Sequence, residues 1–312
     1  MTDEKTPQTL PNELISVCIC TFKRAELLAQ TLDGVIAQIT YNQFSFEIIV
    51  IDNDRERSAE AVVRIYQENF LLKILYDFEP EQNISMARNR ALRNASGNLI
   101  AFIDDDEVPV RSWLYHLLHT MKTFTADGVL GPVLPYYPEG APQWLEKCNL
   151  FDRRRFQTGT KITATRDTRT GNVLLSRSIL PEGVKCFDPD FGRTGGEDVD
   201  FFRKQIVEGR MFVWCDEAIA YETVPFERWG MRFYIKRYFR SGTINGEHLR
   251  KSKISGYISF IKSIISVPFW TFIFLFSLPL GKPIWFRPVL KVAYWGGCVL
   301  AFCGVSLLRD RE

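Results

Sequence analysis

An α/β fold built on a mostly parallel sheet is what this sequence predicts, and three observations carry it. Short apolar runs alternate with segments of helical period from residue 14 to residue 133. Three of those runs close on polar groups, Thr21, Asp52 and Asp104, and in such sheets ligands sit beyond the carboxyl ends of the strands. A chain of 312 residues is long enough to bury a large core in one domain or two.

Residues 14–20 (LISVCIC) read as a buried strand, with Thr21 and Lys23-Arg24 just after it. Residues 25–39 place apolar side chains at helical spacing, 46–51 (FEIIVI) return to strand and close on Asp52-Asn53-Asp54, and 57–70 are helical. Residues 72–77 form a short strand, and 85–95 a helix with Ser85 as N-cap and Gly97 as its stop. A fourth strand ends at Ile103, 111–124 are helical, and 128–133 (GVLGPV) make a strand. Residues 135–195 are rich in Pro, Gly, Arg and Thr and read as long loops around a strand at 171–176. A helix at 195–209, a strand at 210–215 and a basic amphipathic helix at 229–242 follow. No GxGxxG follows the first strand and no GxxxxGK occurs, which argues against dinucleotide and P-loop chemistry.

The net charge of +2 excludes a strongly basic nucleic-acid binder. Seven cysteines lie in or beside apolar runs without a CxxC pair, the pattern of buried thiols in a reducing compartment. Residues 1–13 are polar, lack the apolar core of a secretion signal and read as a flexible N-terminal segment; the folded part, 14–250, is expected to stay in the cytoplasm. Residues 251–312 form a hydrophobic tail with two uncharged runs, 264–280 and 292–308, each near the lower limit for crossing a bilayer. Pro268, Pro279 and Gly296-Gly297 weaken the case for simple helices there. A spanning hairpin would carry Lys282, Arg287 and Lys291 to the far side, against the positive-inside tendency. Interfacial or re-entrant helices avoid that conflict, and the basic segment from Arg250 to Lys262 suits anionic lipid.

The stretch GNLIAFIDDDEVP (97–109) runs a buried strand into Asp104, Asp105, Asp106 and Glu107. Adjacent carboxylates repel and raise one another's pKa, so a solvated turn is a costly account of them. A hard divalent cation offsets the charge; Mg²⁺ or Mn²⁺ takes one or two protein carboxylates plus substrate phosphates, and so implies a phosphorylated ligand.

Five motifs in order, VCICTFKR, VIDND, NISMARNRAL, FIDDDE and GRTGGEDVDFF, make the chain resemble the family 2 glycosyltransferases over about 230 residues. Within that family the wording is similar to the exopolysaccharide branch, including succinoglycan-type β-1,4-glucosyltransferases. The resemblance implies the GT-A fold, a mostly parallel mixed sheet here followed by C-terminal hydrophobic helices. It makes the acid run a DXD motif: Asp106 on the metal, Asp104 on the metal or the ribose, and Asp105 in the variable place of the donor site. Thr21 and Asp52 match positions that hold base and ribose, and the Asp52-Asn53 pair leaves the uracil contact to Asp52 or Asp54. Arg88 and Asn89 match the family's ARN on the donor side. Asp198 matches the catalytic base, needed because an acceptor hydroxyl must lose its proton as it attacks. Glu197 orients the acceptor, and Gly195 and Gly196 let the backbone pass close to the sugar. On the residues alone, acids opening a helix are only favourable N-terminal charge.

The resemblance further implies a single inverting displacement from a UDP-sugar, UDP-glucose in that branch, to a growing lipid-linked oligosaccharide at the cytoplasmic side of the inner membrane. Where many relatives carry a metal- or phosphate-binding His after the last strand, this chain has Glu222. Trp144 reads as an acceptor-stacking ring or a loop anchor, and Arg237 and Arg240 as contacts to donor diphosphate or membrane phosphate. Arg153-Arg154-Arg155 reads as a solvated loop or a contact to a lipid diphosphate. His116 and His119 lie three apart on a helix without an obvious third ligand, which favours surface or packing roles over zinc. The rival readings are a non-catalytic membrane scaffold of a polysaccharide assembly complex, which would not need both acid motifs, and a nucleotidyltransferase, which would want a glycine-rich loop near the first strand.

Overall fold

The structure, a computed structural model, describes residues 13–151, 153–180, 185–192, 195–251 and 254–305. Residues 1–12 of the expected N-terminal segment, Arg193-Thr194 of GRTGGED and the end of the second apolar run, 306–308, lie outside the described residues. By contact the chain forms two compact units, residues 13–135 with 153–222, and residues 136–151 with 223–305.

The first unit is α/β. Its elements are β1 (Leu14–Thr21), α1 (Ala25–Ile36), β2 (Ser45–Asp52), α2 (Glu60–Asn69), β3 (Ile74–Phe78), α3 (Ile84–Asn94), β4 (Leu99–Ile103), β5 (Glu107–Pro109), α4 (Trp113–Phe124) and β6 (Gly128–Leu130). β7 (Val133–Tyr136) and the short α5 (Gln143–Lys147) lead into the second unit; β8 (Asn172–Ser176), α6 (Glu197–Val207), β9 (Phe212–Trp214) and β10 (Ala220–Thr223) complete the first. The large sheet has the order β3-β2-β1-β4-β8-β6-β9. The β1–β2, β2–β3, β1–β4 and β6–β9 pairs are parallel, whereas β8 runs antiparallel to both β4 and β6. This is the mostly parallel mixed sheet that the sequence predicts. β10 pairs antiparallel with β5, setting Glu222 opposite Glu107.

The central strands are apolar on both faces over most of their length because both faces are covered. Ile15, Val17 and Ile19 of β1, Ile48 and Val50 of β2, and Ala101 and Ile103 of β4 enter one cluster with Leu28, Leu32, Val63, Trp113 and Leu117. The alternate residues Cys18, Ile49, Ile51, Ile100 and Phe102 enter the other with Ala87 and Ala91 of α3 and Phe201 and Phe202 of α6. A period of two thus feeds two cores, and each fully buried large aliphatic contributes about 1.5–3 kcal/mol.

Two local expectations change. α3 starts one residue early and its cap is Asn83, whose Oδ1 accepts from Met86 N at 3.2 Å; Ser85 is buried inside the helix. The run 128–133 is two strands, because Gly131-Pro132 breaks the ladder between β6 and β7. All seven cysteines are free, as expected of buried thiols, with Cys303 exposed.

The second unit is helical: α7 (Met231–Lys251), α8 (Ile254–Ser277) and α9 (Lys282–Phe302), joined to α5. Pro268 and Gly296-Gly297 sit within continuous helices rather than ending them. The glycines allow close packing instead. A Cβ on Gly242 or Gly246 of α7 would meet the Tyr294 or Cys298 carbonyl of α9 at 1.9 or 2.4 Å, and one on Gly297 the Phe239 carbonyl at 2.3 Å. Small residues four apart permit such backbone approach. Gly256–Leu280 is the one segment among the described residues long and apolar enough to cross a membrane, and most of it is unburied.

Candidate active site

The ends of β1, β2 and β4 bring the polar strand termini together. Thr21 Oγ1 donates to Asp105 Oδ2 at 2.7 Å, and Thr31 Oγ1 donates to the Asp105 carbonyl at 3.0 Å. Arg24, just past β1, reaches Asp105 Oδ1 at 3.2 Å and Asp106 Oδ2 at 3.0 Å. Asp105 therefore fastens the acid loop to the first strand. Sequence reasoning noted Lys23-Arg24 without giving Arg24 this partnership; the basic pair after a strand facing four acids was the available signal.

Asp52 is fully buried and its carboxylate is used within the fold. Oδ1 accepts from Asp54 N at 3.1 Å, and Oδ2 from Ala59 N at 2.7 Å and Tyr76 OH at 3.1 Å. Asn53 Nδ2 donates to the Glu79 and Glu81 carbonyls, and its Oδ1 accepts from Asn83 N. Asp54 differs: its Oδ2 is buried without a hydrogen-bond partner. Asp54 lines a cavity of about 540 Å³ with Phe22, Lys23, Asn53, Arg55, Pro80, Glu81 and Gln82. Of the two candidates for a base contact, Asp54 has the spare acceptor and Asp52 organises the turn.

The second half of the site joins the acid loop to α6. Arg88 is buried, ion-paired to Glu197 Oε1, and lies 3.8 Å from Asp104 Oδ1. Asn89, next to it, is spent on the backbone: its amide donates to Phe187 O at 2.7 Å and accepts from Phe187 N at 3.0 Å. Arg88, Asp104 and Asp198 line one cleft of about 500 Å³ with Arg153, Arg154, Arg166, Asp167, Arg169 and Gly171. Asp198 Oδ1 accepts from Val199 N at 2.8 Å at the start of α6. Gly195 and Gly196 turn into that helix at φ +85° and +101°, left-handed values that favour glycine. Gly171 is needed for closeness: a Cβ there would lie 2.7 Å from Asp104 Oδ2 and 2.8 Å from Glu107 Oε1.

The acids are under-compensated. Burial, then Asp104 and Asp105, push the Asp106 carboxyl up to about 6 against the pull of Arg24. Burial, then Asp104, Asp106 and Glu222, raise Glu107 well above the carboxylate range. Arg153 pairs with Glu222 at 3.2 Å, Arg154 with Asp167 at 3.5 Å, and Arg155 makes two bonds of 2.9 Å to Asp216. The triple-arginine loop is thus folded back on the unit's own acids. No group of three or more His, Cys, Asp or Glu side chains stands ready to hold a metal among the described residues. Two carboxylates, Asp104 and Asp106, with unbalanced charge still suit a hard cation that takes its other ligands from phosphate and water.

Trp144, Arg237 and Arg240 belong to the helical unit. Trp144 packs edge-on against Phe286 at 5.4 Å and Tyr234 at 6.3 Å. Arg237 is exposed and Arg240 half-buried on α7. His119 stacks on Tyr115 at 5.8 Å, a packing role.

A mostly parallel sheet with a carboxylate-rich loop at its strand ends and a cleft leading to the acidic first turn of α6 is the arrangement of a GT-A glycosyltransferase. The mannosyltransferase PcManGT from Pyrobaculum calidifontis, solved in complex with GDP-Man and Mn²⁺, has this fold at a TM-score of 0.60 and 17% identity, covering 92% of this chain and 86% of that one. The chain belongs to glycosyl transferase family 2, whose pattern it matches over residues 16–183. It is 37% identical over 245 residues to the succinoglycan biosynthesis protein ExoM of Rhizobium meliloti (strain 1021), covering 77% of each chain. It is 23% identical over 241 residues to the chondroitin synthase of Pasteurella multocida (strain Pm70), covering 68% of this chain and 25% of that much longer relative.

Proposed function

We propose that the protein transfers a hexose, glucose in the first instance, from a UDP-sugar to a lipid-linked glycan in exopolysaccharide synthesis, with inversion at the anomeric carbon. The observation that carries this is the single cleft shared by Asp104 and Asp198, with Arg88 spanning the acid loop and Glu197. The nucleoside enters the cavity beside Asp54, and the sugar end points toward the cleft of Asp198. Asp198 takes the proton from the acceptor hydroxyl as that oxygen attacks the face opposite the departing UDP, so an α-linked donor gives a β-glycoside. Arg88 holds Glu197 in place, and Thr21 and Arg24 hold the acid loop through Asp105. Mg²⁺ or Mn²⁺, bound by Asp104 and Asp106 together with the donor diphosphate, would neutralise charge on the leaving group. Glu222, tied to Arg153, is an outer acid of this cluster. Residues 251–312 hold the enzyme on the inner membrane, with the catalytic part, 14–250, on the cytoplasmic side where nucleotide sugars are. The exposed apolar length of α8 supports that attachment.

The test is UDP release from a panel of UDP-sugars with Mn²⁺ or Mg²⁺ and a membrane lipid extract. One donor should give metal-dependent release. Asp198→Asn should lower kcat by about 100- to 10,000-fold, the usual worth of a general base, and Asp106→Ala should abolish the metal response. Retention of full rate by Asp198→Asn would remove it as the base. Lipid binding without turnover of any nucleotide sugar, with native acceptor present, would favour a scaffold.

A further inference from the structure

Arg169 stands apart among the arginines of the cleft. Arg88, Arg153, Arg154 and Arg166 each have a carboxylate within 4 Å, at distances of up to 3.8 Å. Arg169 has no ion pair among the described residues, and its Nη1 is buried without a hydrogen-bond partner. It lies on the Thr168–Gly171 segment, in the same cleft as Asp198. Burial and repulsion from Arg153 pull its guanidinium down to about 10, against the attraction of Glu107, Asp104 and Glu222. Arg169 is half-buried, with Nη1 shut away from water; an idle donor there is costly, and the planar fork matches carboxylate or phosphate oxygens. The nucleoside cavity is lined by a separate set of residues around Asp54. Asp104, assigned above to the donor diphosphate, and Asp198, the base, line the same cleft, so an anion that still binds at Arg169 once UDP fills the donor end lies on the acceptor side, near the base.

We propose that Arg169, flanked by Arg153, is an oxyanion receptor for the acceptor, so that this enzyme's acceptor carries an acid group close to the hydroxyl that is glycosylated. This rests on the transferase reading above and narrows its substrate class to anionic glycans. The acid is either the carboxylate of an acidic sugar or a phosphate of the carrier linkage; both are oxyanions that the fork accepts.

The test is calorimetric, on the full chain in detergent, and needs no known acceptor. The protein is first loaded with UDP and Mg²⁺, then titrated with glucuronate or with inorganic phosphate. Binding of one of them to the loaded protein, weakened at least tenfold in Arg169→Met and partly kept in Arg169→Lys, is the expected result, and the anion preferred tells the two sources apart. Arg169→Met should melt no lower than the parent, since it removes an unpaired half-buried cation; this separates lost binding from lost folding. Two outcomes overturn the proposal. Neither anion binds the loaded protein, or Arg169→Met weakens UDP itself tenfold, which would make the donor diphosphate its ligand. Failure of UDP to bind at all counts against the transferase reading; the anion titration on the unloaded protein then still decides the receptor.

Discussion

Arg88 is where the two acidic halves of the cleft meet. It is buried, as is its partner Glu197, and its second nitrogen faces Asp104. Glu197 Oε2 has no further hydrogen bond, so the pair depends on a single bridge. Removing one partner of a buried ion pair leaves the other charge uncompensated, which costs about 3–5 kcal/mol, whereas removing both costs far less. Arg88→Met should therefore lower unfolding free energy by about that amount. Glu197→Gln should cost less, and the double variant should recover much of the loss, a coupling read from denaturant melts of the four proteins. Additive losses would mean that the two side chains act independently. The catalytic cost should follow a different order, because Arg88→Met also frees Asp104.

A second buried acid ties β1 to β2 near their amino ends, away from the strand termini that carry the site. Glu47 of β2 accepts from Ser16 Oγ of β1 at 2.6 Å and from Ser96 N at 2.7 Å, and pairs with Lys73 at 2.6 Å. Burial works against its charge, but the bonds from Lys73, Ser16 and Ser96 outweigh it and hold the carboxyl down at about 2. A carboxyl depressed in the folded state stabilises above its ordinary value of 4.5 and loses that contribution as the pH falls toward 2. With Lys73 mostly exposed and screened, the contribution is roughly 2 kcal/mol. Glu47→Gln should melt lower at pH 7 and show a flatter loss between pH 4.5 and 2; a slope like that of the parent would assign the acid sensitivity elsewhere. The sequence exposes the apolar half of this design, since period and length place β1, β2 and β4. It hides the polar half, because Glu47 meets its serines 31 and 49 residues away and Arg24 meets Asp105 across 81. The acid loop was legible because its charge is contiguous. The α3 cap was misread by two residues because Asn83 and Ser85 carry equal capping propensity, and only the packing of the helix decides between them. Arg169 gave no signal, since being unpaired is a property of the fold rather than of spacing.

At the scale of the molecule, the open question is what covers α8. Ile258, Ile261, Ile265, Phe269, Phe272 and Phe276 are each more than half exposed, on a helix of 24 residues. α9 differs: it buries Phe286, Leu290, Cys298 and Ala301 and approaches α7 through glycines. An apolar face of that length is unfavourable in water, and a bilayer relieves it whether α8 spans or lies at the interface. Ile265 and Phe272 lie two turns apart on this helix and face outward. Lysine at both positions should cost about 3 kcal/mol or more of membrane affinity in all, so partition into vesicles of anionic lipid should fall by roughly 100-fold. UDP binding by the α/β unit should be unchanged, because neither position belongs to it. Transfer of the sugar to a lipid-linked acceptor should then fall with the loss of vesicle binding, while hydrolysis of the donor by water should not. If the doubly substituted protein still floats with vesicles as the parent does, α8 is covered by protein rather than lipid, and the attachment must come from the basic segment, Arg250 to Lys262, that leads into it and forms its first turns.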